Sequence, residues 1–106
     1  MTFYHSAEDI RIDDGHILRA RLRTADGEWN DSEIDLNTCI GNDNGHFVWD
    51  GQGFADSADN AHFALEGADN VPVLRATLRD VDGNEETRDI NLGERITNED
   101  GHFRFS

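Results

Sequence analysis

Lysine is absent from all 106 residues, and cysteine occurs once. Each shortage excludes something. All nine bases are arginine, set against 23 acids, and the net charge is −14. Such a surface repels phosphate backbones and anionic lipid headgroups, which attract basic patches, so nucleic acid and membrane are poor partners. A lone Cys39 cannot close an internal disulfide, so nothing demands an oxidising compartment. No run of 18 or more apolar residues is present, which removes a membrane-spanning helix. The opening MTFYHSAEDI has neither the basic nor the apolar region of a secretory signal, so the cytoplasm is the expected location. Gly-x-Ser-x-Gly elbows, phosphate loops and Cys–His pairs are missing, and no enzyme is expected.

What is present is a duplication. Residues 18–49 read LRARLRTADGEWNDSEIDLNTCIGNDNGHFVW, and residues 74–105 read LRATLRDVDGNEETRDINLGERITNEDGHFRF. At an offset of 56, Leu18 falls on Leu74, Leu22 on Leu78, Asp26-Gly27 on Asp82-Gly83, Ile34 on Ile90 and Leu36 on Leu92. Asn42 falls on Asn98, and Gly45-His46-Phe47 on Gly101-His102-Phe103. Upstream the offset is 51, pairing Phe3 with Phe54 and Ser6-Ala7 with Ser57-Ala58, so the second copy carries five extra residues around Leu65–Asn70. Two copies are too few for a solenoid. At 36% hydrophobic the chain supports one domain, 1–106, with a modest core shared by repeats 1–50 and 51–106.

Both repeats read as strands. Leu18, Ala20 and Leu22 alternate with Arg19, Arg21 and Arg23, the period of a half-buried strand, and Leu74, Ala76 and Leu78 repeat it. A short strand precedes each, around Ile10–Ile12 and His62–Leu65. Asp13-Asp14-Gly15 turns the first pair, and Asp26-Gly27 and Asp82-Gly83 lead into third strands ending on Ile34 and Leu36, or Ile90 and Leu92. Asn42-Asp43-Asn44-Gly45 and Asn98-Glu99-Asp100-Gly101 are tips of separate hairpins. A lone hairpin is unstable in water, so each is expected to dock on the other repeat's sheet.

These residues carry a resemblance. SEIDLNTCIGNDNGHFVW, with DINLGERITNEDGHFRF in register and a phenylalanine opening each repeat (Phe3, Phe54), resembles the cyanovirin-N homologue lectins over essentially the whole chain. The resemblance implies an all-β fold of two pseudo-symmetric lobes, each a triple-stranded antiparallel sheet packed on a hairpin exchanged from the other repeat. Lobe A would hold about 1–38 plus 95–106, and lobe B about 39–94. It implies binding to α(1→2)-linked mannose termini of high-mannose glycans and glycoproteins, without metal, cofactor or catalysis. The cyanobacterial founder has cysteine where this chain has Ala7, Leu22, Ala58 and Leu78; the disulfide-free fungal members share the present pattern.

Mannose hydroxyls both donate and accept, so amides, carboxylates and guanidinium groups can clamp vicinal pairs of them. By resemblance, the lobe A pocket combines Thr2, His5, Ser6, Arg23, Thr24, Ala25, Asn98, Glu99 and Asp100. The lobe B pocket combines Asn42, Asp43, Asn44, Gln52, Gly53, Asp56, Ser57, Arg79, Asp80 and Val81. Neither matches the family fully. Arg23 replaces a glutamate and Ala25 a threonine in lobe A, while Gly41 replaces a glutamate and Val81 an arginine in lobe B. Lobe B keeps more of the pattern and is the preferred site, with weak binding expected.

Two other readings remain alternatives. Counting back from Gly83 gives Asp82, Asp80 and Leu78, so a calcium loop lacks its first ligand, and Gly27 fails likewise. Two carboxylates around a sugar could make a glycosidase, but none of these acids lies in an apolar stretch that would raise its pKa. His46 and His102 sit at equivalent repeat positions and read as structural or solvated. The linker Trp49-Asp50-Gly51-Gln52-Gly53-Phe54 has glycine where the founder has proline, which is expected to favour a closed monomer with a swapped dimer minor.

Overall fold

The computed structural model describes residues 3–67 and 71–106. Strands β1 (Ala7–Asp13), β2 (Ile17–Arg23) and β3 (Trp29–Asp35) form one antiparallel sheet, and β4 (Ile40–Asp43) with β5 (His46–Trp49) a separate hairpin. The second repeat does the same with β6 (Ala58–Glu66), β7 (Val71–Arg79) and β8 (Glu85–Asn91), then β9 (Ile96–Glu99) and β10 (His102–Phe105). The alternating leucines face inward as expected: Leu18, Leu22, Leu74 and Leu78 are fully buried. Of the expected insertion, Ala68, Asp69 and Asn70 lie outside the described residues.

The hairpins are exchanged between repeats. β10 lies against β3, and β5 against β8. Phe3, which opens the first repeat, meets Phe103 of the second edge-to-face at 5.3 Å, and Phe54 meets Phe47 of the first at 5.7 Å. Each buried phenylalanine at a repeat's start is thus the socket for the other repeat's hairpin. Polar contacts fix the register: Asn30 Nδ2 donates to Gly101 O at 2.7 Å, and Arg88 Nε to Gly45 O at 3.0 Å. Between the lobes Trp49 stacks on Phe105 at 5.7 Å, and Arg95, above the Phe105 ring, pairs with Asp50 at 3.1 Å. The molecule is 50 Å long and 28 Å wide.

Three local expectations need correction. The first strand of each sheet is longer than its apolar pattern suggested, because a β-bulge interrupts the alternation between Glu8 and Arg11 and between Asp59 and His62. Asp9 and Asn60 carry the bulges in left-handed conformation, at φ 55° and 59°. The third strands stop one residue short of Leu36 and Leu92. Those leucines open 3-10 turns, Leu36–Thr38 and Leu92–Glu94, in which the N–H groups of Asn37 and Gly93 are capped by the side chains of Asp35 and Asn91. Further 3-10 turns, Phe3–Ser6 and Phe54–Ser57, were not anticipated. The positions that carry cysteine in the founder are direct cross-strand partners here, Ala7 opposite Leu22 and Ala58 opposite Leu78.

Candidate functional site

Each lobe ends where an exchanged hairpin tip meets a strand-end loop. In lobe B, Asn42 Nδ2 donates to Ser57 Oγ at 2.7 Å and to Arg79 O at 2.9 Å, while its Oδ1 accepts from Gly45 N at 2.8 Å. One amide therefore joins the hairpin, the Phe54–Ser57 turn and the end of β7. Lobe A repeats the device: Asn98 Nδ2 donates to Ser6 Oγ at 2.8 Å and to Arg23 O at 2.9 Å, and Gly101 N donates to Asn98 Oδ1 at 2.9 Å. A second clamp lies at the tip. Asn44 Oδ1 accepts from Val81 N at 3.0 Å, and Asp100 Oδ1 from Ala25 N at 2.9 Å.

The tip glycines allow this approach. Gly101 has φ 87°, and a Cβ there would lie 2.8 Å from Thr24 Cγ2 and 3.1 Å from Asn30 Cβ. Only a hydrogen fits between tip and loop.

The N–H groups of Asn42 and Asn98 and an oxygen of each of Asn42, Asn44 and Asn98 are engaged within the protein, which anchors these candidate site residues at the rim. What the rim presents differs between lobes. In lobe B, Arg79 pairs with the Asp59 carboxylate at 3.1 Å and reaches the Asp56 backbone carbonyl at 3.4 Å, so a guanidinium and a carboxylate stand side by side. Asp80 Oδ1 holds the loop by accepting from Asp82 N and Asn84 N, both at 2.9 Å. Asp43 and Val81 are exposed around it. Gln52 is exposed on the linker, next to Gly53, whose N donates to Asn37 O; no described hydrogen bond ties Gln52 to the cluster.

In lobe A, Arg23 lies over the Trp29 ring at 5.1 Å instead. Thr24 Oγ1 accepts from Glu28 N at 3.1 Å, and Glu99 pairs with Arg104 at 2.7 Å. His5 is exposed with its ring edge-on to Tyr4. Thr2 lies outside the described residues. Sequence reading missed Asp59, Trp29 and Asn30. The bulge displaces Asp59 from the alternation that would have placed it, while Trp29 and Asn30 stood out only by differing from their repeat mates, Glu85 and Glu86.

Other chemistry finds little support. His46 and His102 are exposed at their tips. Among the described residues, no three His, Cys, Asp or Glu side chains converge as a metal shell. Burial, helped by the Asp35 carboxylate, pushes the Cys39 thiol from 9.0 up to about 11 against the pull of Arg95, leaving it protonated at neutral pH.

A family model described as the CVNH domain matches residues 3–104. A Cyanovirin-N homolog of Neurospora crassa is 48% identical over 108 residues, covering 98% of this chain and 97% of that protein. Among solved structures, a designed Cyanovirin-N homolog lectin superposes with a TM-score of 0.93 at 44% identity, covering both chains fully. A microvirin:mannobiose complex gives 0.87 at 27% identity, covering 99% of this chain and 98% of that one. A MoCVNH3 variant in complex with (N-GlcNAc)4 gives 0.83 at 28%, covering 98% and 96%.

Proposed function

The chain belongs to the CVNH domain family of carbohydrate-binding lectins, which are not enzymes, and on that premise we propose that it binds α(1→2)-linked mannose termini directly, without a metal ion. The observation that carries this reading is the hairpin-tip clamp, repeated in both lobes, which holds a rim of mixed donors and acceptors against a strand-end loop. A relative with the same fold holds mannobiose. Lobe B is the stronger site, because Arg79, the Asp59 carboxylate and the Asp56 carbonyl set guanidinium donors beside oxygen acceptors in one place. That arrangement suits a pair of vicinal hydroxyls, one accepting from arginine and one donating to carboxylate. The family's arginine at position 81 is a valine here, so a charge-assisted hydrogen bond is lost, weakening binding by about 1.5–3 kcal/mol.

N-acetylglucosamine oligomers are the second reading, supported by the MoCVNH3 variant's complex with (N-GlcNAc)4. A glycan array run with and without EDTA tests both. The proposal expects signal on α(1→2)-mannose termini that survives chelation. Signal confined to chito-oligosaccharides would transfer the function to the second reading, and loss of signal with EDTA would refute direct binding.

A further inference from the structure

A concavity lies away from both hairpin tips. It lies on the outer face of the β1–β2–β3 sheet, holds about 390 Å³ and is lined by Arg11, Arg19, Arg21, Asp31 and Glu33 among others. That volume falls within the roughly 300–1,000 Å³ of small-molecule sites. Cross-strand ion pairs frame it. Arg21 Nη1 is 2.8 Å from Glu8 and its Nε 3.9 Å from Asp31, while Arg19 Nη1 is 3.5 Å from Glu33. Arg19 Nε lies 3.2 Å from Asp13 Oδ2 without hydrogen-bond alignment. At the lobe A end of the same face, Trp29 is 37% exposed beneath the guanidiniums of Arg21 and Arg23.

We propose that this face is an extended saccharide-binding surface, taking the further residues of a neutral oligosaccharide whose end occupies the lobe A tip. The proposal rests on the carbohydrate reading above. Three observations lead to it. Arg23 belongs to both places: its carbonyl accepts from Asn98 at the tip, and its guanidinium covers Trp29. From Arg23 back to Arg19 the strand runs roughly 13 Å, at about 3.3 Å per residue, beyond the reach of one sugar ring.

The charge pattern selects the ligand. Arg11, Arg19 and Arg21 each already have a carboxylate near them, so an anion meets Glu8, Asp31 and Glu33, and a cation meets the arginines. Paired donors and acceptors left side by side match vicinal hydroxyls. The second repeat keeps Arg19 and Glu33 as Arg75 and Asp89, but the duplicated fold does not require Arg21, Asp31 or Trp29. The second sheet has Thr77 where the first has Arg21, Thr87 for Asp31 and Glu85 for Trp29, and forms the same register. The second sheet has exposed ion pairs of its own, Arg75 with Asp89 and Arg79 with Asp59, so what sets the first apart is the Arg21–Asp31 pair beside an exposed Trp29.

The test compares α(1→2)-linked mannobiose with the corresponding tetrasaccharide, titrated into 15N-labelled protein. Both are expected to shift lobe A tip amides, and the tetrasaccharide alone to shift the Trp29 indole N–H and the Arg21 Nε–H. By calorimetry, Trp29→Ala and the exposed-site variant Asp31→Asn are each expected to lower the tetrasaccharide-to-disaccharide affinity ratio by about tenfold, the effect of one charge-assisted contact. Tip shifts with a silent Trp29 and unchanged ratios would overturn the extended surface and leave the carbohydrate reading standing. No shift with either sugar would overturn both.

Discussion

At the residue scale, several candidate sugar ligands also carry architecture. Polar residues at a hairpin tip read as sugar clamps because the sequence does not show where their hydrogen bonds go. In the fold, Asn42 and Asn98 bind the turns beneath them, and the side chains around them complete the rim. Ser57 and Arg79 were legible because they lie in register with the repeat; Asp59 was not, because the bulge at Asn60 breaks the alternation that would have placed it. Cys39 shows the reverse case, an isolated reactive-looking residue that burial silences. Its pKa of about 11 stands above the roughly 8.5 of an unfolded thiol. Between those values the folded protein retains a proton that the unfolded chain has lost, so stability falls as pH rises through that window. Urea midpoints measured from pH 8 to 11 are expected to decline, and the thiol component of that decline to vanish in Cys39→Ala. A Cys39→Ala variant that declines as steeply as the parent would place the alkaline sensitivity elsewhere.

At the element scale, regular alternation was legible and its interruptions were not. β2 and β7 read directly as half-buried strands, and the hairpins followed from their Asn/Asp-Gly tips. The 3-10 turns at Leu36 and Leu92 escaped because a leucine two residues beyond an isoleucine continues a strand's period. Only the capping bonds of Asp35 and Asn91 show that the chain has turned. Docking of each hairpin followed from its instability alone, and the tip glycines allow that docking to be measured. Gly83 and Gly101 both have positive φ, but a Cβ at Gly83 meets nothing within 4 Å, whereas one at Gly101 would meet Thr24 at 2.8 Å. Gly83→Ala is therefore expected to cost about 1–2 kcal/mol, from backbone conformation alone. Gly101→Ala adds overpacking of about 1–3 kcal/mol and opens lobe A. Denaturant unfolding of the two variants gives the comparison; equal losses would mean that the tip does not bear on the loop.

At the scale of the whole molecule, pseudo-symmetry was visible in the repeat, and the likeness of the two Phe sockets follows from it. The linker is a different matter. Its glycine reads as relief from the fixed φ of a proline, favouring the closed form, and in the structure Gly51 also serves close contact: a Cβ there would lie 2.9 Å from both Cα and N of Gly41. That contact holds the linker folded back on β4, and opening the linker would abolish it. We propose a closed monomer, and Gly51→Ala, which strains only the closed form, is expected to raise the fraction of swapped dimer at about 0.1 mM in sizing chromatography with light scattering. A variant as monomeric as the parent would remove the role given to the glycine pair. The central claim, that an exchanged hairpin tip and a strand-end loop together bind sugar, is tested most directly by mapping backbone amide shifts during titration with α(1→2)-linked mannobiose. The expected map joins residues distant in sequence, 42–45 with 56–57 and 79–81, more strongly than 98–101 with 23–25. Shifts scattered away from both tips, or none at saturating sugar, would contradict it.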